Sequence, residues 1–191
     1  MDEALLLWIN QGWAHPWLDV FFTWVSQRET FSFPLLGVIL VLSVLRFRGD
    51  GLRLWLVLIV VIGVADLTGN MIKKATAQPR PCYEIADQVR QPTSTTPGPC
   101  GANLTGMPSN HAMNFFAATL FLVTVLRIRG ATLTLVAIAA AVSISRIYLG
   151  DHYPGQVIVG IVLGSLIGFV AARAGLKYLS FIQRIRHAHT G

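Results

Sequence analysis

Hydrophobic residues in this chain come in long unbroken runs. Five stand out, at 31–47, 53–72, 110–127, 131–149 and 153–173, each 17–21 residues long. A helix needs ~20 apolar residues to cross the core of a bilayer. The pattern therefore predicts an all-α integral membrane helix bundle of five transmembrane helices, organised as one membrane domain over 1–191. Ahead of the runs, residues 4–12 and 16–27 read as two short amphipathic helices, with Pro16 placed to start the second. Trp8, Trp13, Trp17 and Trp24 suit a belt at the membrane–water interface. Asp2, Glu3, His15 and Asp19 argue that residues 1–30 lie on the outer surface rather than in it. An alternative with six spans, in which this region crosses the membrane, stays open. The opening MDEALLLWIN carries acid where a cleavable signal would carry base, so no signal peptide is expected.

Composition agrees with the pattern. The 191 residues are 53% hydrophobic and 13% charged, against about 25% charged in an ordinary soluble domain. The mean hydropathy is +0.58. The net charge of +6 changes the picture only through its placement. Arg46, Arg48, Arg53, Arg127, Arg129, Arg173, Lys177, Arg184 and Arg186 fall on one side of an alternating five-span bundle. Short basic connections mark the cytoplasmic side, which makes 174–191 a cytoplasmic basic tail and gives a multi-pass protein of the cell inner (plasma) membrane. Nothing else in the chain supports a nucleic-acid partner. Arg28, Lys73, Lys74, Arg80, Arg90 and Arg146 fall on or beside the other face, against the rule.

One long loop, 76–108, is rich in Pro, Gly, Ser and Thr and lies on the outer side. Loops of that length are commonly functional. It holds both cysteines, Cys82 and Cys100, and an oxidising compartment would allow a disulfide between them. Asn103-Leu-Thr105 has the form of a glycosylation sequon. No Cys/His grouping has zinc-ligand spacing.

Three polar clusters interrupt the apolar pattern. In the first, Asp66, Asn70 and Lys73 share one helix face at the end of the second run, and Arg80-Pro81 follow. In the second, Pro108-Ser109-Asn110-His111 opens the third run, with Ser109 placed as an N-cap. A helix N-terminus offers free N–H groups and partial positive charge, which suits an anion. The third cluster, Ser145-Arg146 through His152 to Gln156, bridges the fourth and fifth runs. Arg146 can clamp phosphate oxygens through its planar fork, and His152 can take a phosphoryl group as a nucleophile. Five alternating spans bring all three clusters to one membrane face.

These residues resemble the type 2 phosphatidic acid phosphatase family of integral-membrane lipid phosphatases. That family's signature runs Lys-x6-Arg-Pro, Pro-Ser-Gly-His and Ser-Arg-x5-His-x3-Asp. Lys73 with Arg80-Pro81, Pro108–His111 and Ser145-Arg146 with His152 match it in order and spacing, with Asn110 for Gly and Gln156 for Asp. The resemblance implies that His152 forms a phosphohistidine and that His111 protonates the leaving group. It implies that Lys73, Arg80, Ser109, Asn110 and Arg146 lie around the phosphate, and that no metal or other cofactor is needed. Gln156 stands where the family's Asp orients the nucleophile, and it brings no charge. The expected function is hydrolysis of a lipid phosphate or pyrophosphate, such as undecaprenyl pyrophosphate or phosphatidylglycerol phosphate, at the periplasmic or outer face. The alternatives are a lipid phosphotransferase and a catalytically weak member that binds or moves a phospholipid.

Overall fold

A computed structural model of the chain describes residues 1–92 and 104–187. In chain order the helices are α1 (Asp2–Gly12), α2 (Pro16–Ser26), a π-helical turn (Arg28–Ser32) that runs into α3 (Phe33–Phe47), α4 (Gly49–Thr76), the short α5 (Pro81–Glu84), α6 (Asn110–Leu126), α7 (Arg129–Tyr148), α8 (Pro154–Tyr178) and α9 (Ser180–His187). There is no strand among the described residues. The fold is the all-α membrane bundle that the hydrophobic runs predict. The stretches Arg28–Phe47, Gly49–Glu84, Arg129–Tyr148 and Pro154–Tyr178 are long and apolar enough to cross a bilayer, and the shorter Asn110–Leu126 is apolar too.

The sixth span fails on length. Helices α1 and α2 have 11 residues each, about 16 Å at 1.5 Å per residue, against a core of about 30 Å. They dock instead beside the end of α7, where Asn10 donates to the carbonyls of Tyr148 (2.7 Å) and Arg90 (2.8 Å) and accepts from the Arg90 N–H (2.8 Å). Trp8, Trp17 and Trp24 remain exposed. So do Leu42 and Leu45 of α3, Val60 and Leu67 of α4 and Val162 and Val170 of α8. In water such apolar area would mark a binding surface; on helices of this length it is the surface that meets lipid.

Helix α6 is the centre of the bundle, with Ala112, Met113, Ala117 and Phe121 fully buried. Its closest neighbour is α8, and sequence sets that approach. Gly160, Gly164 and Gly168 recur every four residues along one stripe of α8. A Cβ at these positions would lie 2.6 Å from the Ser109 carbonyl oxygen, 2.1 Å from that of Met113 and 2.1 Å from that of Ala117. The two backbones therefore touch, as small residues at four-residue spacing permit in membranes. This contact fixes the register of the α8 N-terminus against the α6 N-terminus.

The ends of the helices sort the polar clusters. The C-terminal ends of α4 and α7 and the N-terminal ends of α6 and α8 meet at one end of the bundle. The tight α3–α4 and α6–α7 connections lie at the other, with α9. There Asp50 takes both the Nε and an NH group of Arg184 at 2.9 Å, and Ile182 and Ile185 anchor α9 in the core. All nine of the basic residues assigned to one side fall at this second end.

Candidate active site

Lys73 occupies the last turn of α4 and is only 8% exposed. Its ammonium donates to the carbonyls of Thr105 (2.7 Å) and Pro108 (2.5 Å), tying α4 to the strand of chain that enters α6. Ala77 closes α4 in the left-handed region and turns the backbone so that Arg80 comes back over the same end. There its Nε donates to the Thr105 hydroxyl at 3.2 Å. Pro81 then starts α5, and Cys82 is buried. Cys100 and Asn103 lie outside the described residues.

Ser109 holds the N-cap position of α6, but its hydroxyl makes no capping bond. It is fully buried, and its Oγ has no partner. Its backbone N–H is spent on the Gln156 carbonyl at 3.0 Å, which joins α6 to α8. The Asn110 amide turns away from this point. It donates to Asp66 Oδ1 (3.0 Å) and Asn70 Oδ1 (2.8 Å) on α4, so the expected place beside a phosphate is not where its donors go. The reason is the close α4–α6 approach: a Cβ at Gly69 would lie 2.5 Å from Asn110 Oδ1. His111 follows, with Nε2 buried and without a partner, and its ring engages the Ser26 backbone.

Arg146 sits in the last turn of α7. One NH group donates to the Ser26 hydroxyl, the other pairs with Asp151 at 2.5 Å, and Nε is buried without a partner. Asp151 is thus committed to Arg146, not to His152. The Arg146 carbonyl accepts from the N–H groups of both Asp151 (3.0 Å) and His152 (3.1 Å). Gly150, at φ +76° and against Val89, makes the turn that glycine alone adopts freely. His152 arrives 2% exposed.

Gln156 then decides which nitrogen of His152 carries the proton. Its Nε2 donates to the Pro79 carbonyl (2.9 Å), which can only accept. Its Oε1 must therefore be the atom that faces Tyr153 N–H (3.3 Å) and His152 Nδ1 (3.2 Å). The His152 ring must donate from Nδ1, which leaves the lone pair on Nε2. Burial holds the His152 pKa well below the usual histidine value, and the charges of Arg146, Arg80 and Lys73 push it the same way. The ring is neutral at pH 7. Arg80 and Arg146 lie within electrostatic reach of both imidazoles.

The structure so brings together Lys73, Arg80, Ser109, His111, Arg146, His152 and Gln156. Sequence reasoning missed Ser26, because nothing in an 11-residue helix marks it as a partner of residues 120 positions away. It also missed that Arg90 belongs elsewhere. Arg90 pairs bidentately with Asp19 at 2.8 and 3.0 Å and lies over the Tyr148 ring. This hydrogen bonding from Arg90 leads the lowering of the Asp19 pKa, and the pair latches α2 onto the segment after α5. Among the described residues no group of three His, Cys, Asp or Glu side chains could hold a metal ion.

Beside His111 a cavity of about 230 Å³ opens between the π-helical turn, α3, α4, α6 and α7. Arg28, Ser32, Asp66, His111, Asn114 and Thr119 line part of it, and the rest is aliphatic or aromatic.

The sequence model of the PAP2 superfamily matches residues 54–178, the stretch that contains every residue of this site except Ser26. Curated relatives include the lipid A 4'-phosphatase of Porphyromonas gingivalis, 29% identical over 171 residues (88% of this chain, 70% of that one). Another is the decaprenylphosphoryl-5-phosphoribose phosphatase of Mycobacterium tuberculosis, 32% identical over 124 residues (64% of this chain, 62% of that one). Among solved structures, Aquifex aeolicus LpxE superposes with a TM-score of 0.66 at 25% identity, covering 92% of this chain and 94% of that one. The PAP2-type phosphatidylglycerolphosphate phosphatase of Bacillus subtilis does so with a TM-score of 0.66 at 24% identity, covering 92% and 87%, and shows the same fold.

Proposed function

We propose, starting from the fact that this chain belongs to the PAP2 superfamily, that it is a membrane lipid phosphatase working through a covalent phosphohistidine. The single observation that carries this reading is the state of His152. Its Nδ1–H is held by Gln156, which leaves the lone pair on Nε2, and the charges of Arg146, Arg80 and Lys73 act on the ring.

In the first step Nε2 of His152 attacks phosphorus. The N–P bond forms, the P–O bond to the lipid breaks, and His111 Nε2 passes a proton to the departing oxygen. In the second step water attacks the phosphohistidine, His111 takes back a proton, the P–N bond breaks and phosphate leaves. Lys73, Arg80, Arg146 and the Ser109 hydroxyl hold the three phosphoryl oxygens and stabilise charge in both transition states. Three cations supply this stabilisation without a metal.

Nine basic residues at the far end of the bundle against six at or beside the site end support a site that faces the periplasm or outside, by the positive-inside rule. An amphiphile could present its phosphate there while its chain stays in lipid. The names of the curated relatives support hydrolysis of a phosphate monoester carried on a lipid. Gln156 favours one second reading, a catalytically weak protein that binds a lipid phosphate, because it offers the forming imidazolium no carboxylate.

The test is phosphate release by purified protein in detergent from phosphatidic acid, phosphatidylglycerol phosphate, undecaprenyl pyrophosphate and a lipid A phosphate. The expected result is turnover of at least one of them, abolished in His152→Ala, with an alkali-stable, acid-labile phosphoprotein trapped in the intact enzyme. Equal slow release by wild type and His152→Ala would overturn the proposal.

A further inference from the structure

Asp66 lies within a membrane-spanning helix, yet no salt bridge among the described residues includes it. Its partners are amides. Asn110 and Asn114 donate to Oδ1 at 3.0 Å each, and Asn70 donates to Oδ2 at 2.9 Å. Three N–H donors converging on one carboxyl favour the ionised, acceptor-only form. An ionised group at this depth is costly and is by default a functional suspect. Nothing in the phosphoryl-transfer steps above uses it.

Its position supplies a use. Asp66 lines the same cavity as His111, together with Asn114, Arg28 and Ser32. His111 is the group that meets the departing oxygen, so on the proposed mechanism this cavity receives the leaving group. At its polar end two buried atoms have no partner, His111 Nε2 and Asn114 Oδ1. A carboxylate offers about four lone-pair sites, and the three amides use three. Away from this end the wall is apolar, with Leu36, Ile39, Leu122, Leu135 and Ile138.

We propose that Asp66 and Asn114 select a lipid phosphate whose leaving group carries hydroxyl or amide N–H donors next to the scissile ester, with its hydrocarbon chain laid along the apolar wall. The class comprises phosphorylated sugar and polyol headgroups. Phosphatidic acid and polyprenyl pyrophosphate fall outside it, because neither has such a donor beside the breaking bond. The inference rests on the phosphatase reading and deepens it. A site built to hydrogen-bond a donor rejects the analogue that lacks it, because its own acceptors are then buried unpaired.

The test measures kcat/KM on two donor-bearing lipids, a lipid A 4'-phosphate and phosphatidylglycerol phosphate, and on two donor-free ones, phosphatidic acid and undecaprenyl pyrophosphate. Wild type should favour at least one donor-bearing lipid by tenfold or more, and the two arms separate sugar from polyol. Asp66→Asn puts a fourth N–H among three amides, and should bring the ratio to within about threefold of unity. Asn114→Ala leaves Asp66 bonded to Asn70 and Asn110 and should lower the ratio as well, so the idea stays testable if Asp66→Asn does not fold. Wild-type rates within threefold across all four lipids, or a ratio unchanged in the folded variants, would overturn it. Absence of phosphate release from every lipid would instead count against the phosphatase reading itself.

Discussion

Replacing Gln156 by Leu is the most informative perturbation of the proposed chemistry. Leu keeps similar bulk but removes the acceptor of His152 Nδ1–H and Tyr153 N–H and the donor to Pro79. In the resting enzyme the His152–Gln156 bond joins two neutral groups, worth about 1 kcal/mol net. As the N–P bond forms, the ring becomes cationic and the same bond becomes charge-assisted, worth about 1.5–3 kcal/mol. Only the difference between the two states, about 0.5–2 kcal/mol, raises the barrier, which is roughly a 2- to 30-fold fall in kcat at about 1.4 kcal/mol per decade. That is smaller than the ~10⁴ associated with a His–Asp pair, because an amide contributes no net charge. The assay is kcat on the best lipid substrate with variant shown to be folded by thermal melting, and KM should change little. A folded Gln156→Leu protein with the same kcat as wild type would refute the claim that Gln156 positions the nucleophile.

Gln156→Glu keeps an oxygen toward His152 and adds a charge, so the acid limb of kcat/KM against pH should move upward; an unmoved limb would show that position 156 does not act on the ring. In wild type that limb should lie below pH 6.5, because burial and three cations depress the His152 pKa, and kcat/KM reports the free enzyme. The linked effect on folding has a definite sign. A histidine with a depressed folded pKa adds stability that is present above about 6.5 and is lost as pH falls toward the folded value. Gly164→Val pushes carbon into the Met113 carbonyl, and overpacking of this kind costs about 1–3 kcal/mol or more. Gly63→Val meets nothing within 4 Å and should melt like wild type, so equal melting of the two would disprove the backbone contact. Asn10→Leu breaks three hydrogen bonds, one buried and two partly buried, and should lower Tm by several degrees, at about 2–4 °C per kcal/mol for a chain of this size.

The long apolar runs were readable because a bilayer demands them, and the three polar clusters were readable because phosphate chemistry needs particular groups at set spacings. Those spacings, together with the family resemblance, singled out Lys73, Arg80, Ser109, His111, Arg146, His152 and Gln156, which the fold brings to one end of the bundle. What the chain did not reveal was how polar groups divide between chemistry and architecture. Arg90 and Arg146 looked alike as cations set against the topology rule, yet one binds Asp19 and the other lies at the site. The difference lies in contacts between α2 and segments 71 and 120 residues away, and no local pattern encodes them. The direction of the Asn110 side chain was hidden for a similar reason, since its amide reaches across to Asp66 and Asn70 on α4. Ser109 sits in a capping position, but nothing in sequence shows that its hydroxyl leaves the helix unbonded.

The glycine seam between α6 and α8 has a consequence for how this enzyme tolerates different membranes. Thinner or thicker bilayers are met by helix tilt and by sliding at side-chain interfaces. Where two main chains touch at Gly160, Gly164 and Gly168, there is no soft layer to slide on. The strain of a mismatched bilayer would then be taken up by α3 and by the lipid-facing surface of α4. The two imidazoles, one at the head of α6 and one just before α8, would keep their spacing whatever the thickness of the surrounding lipid.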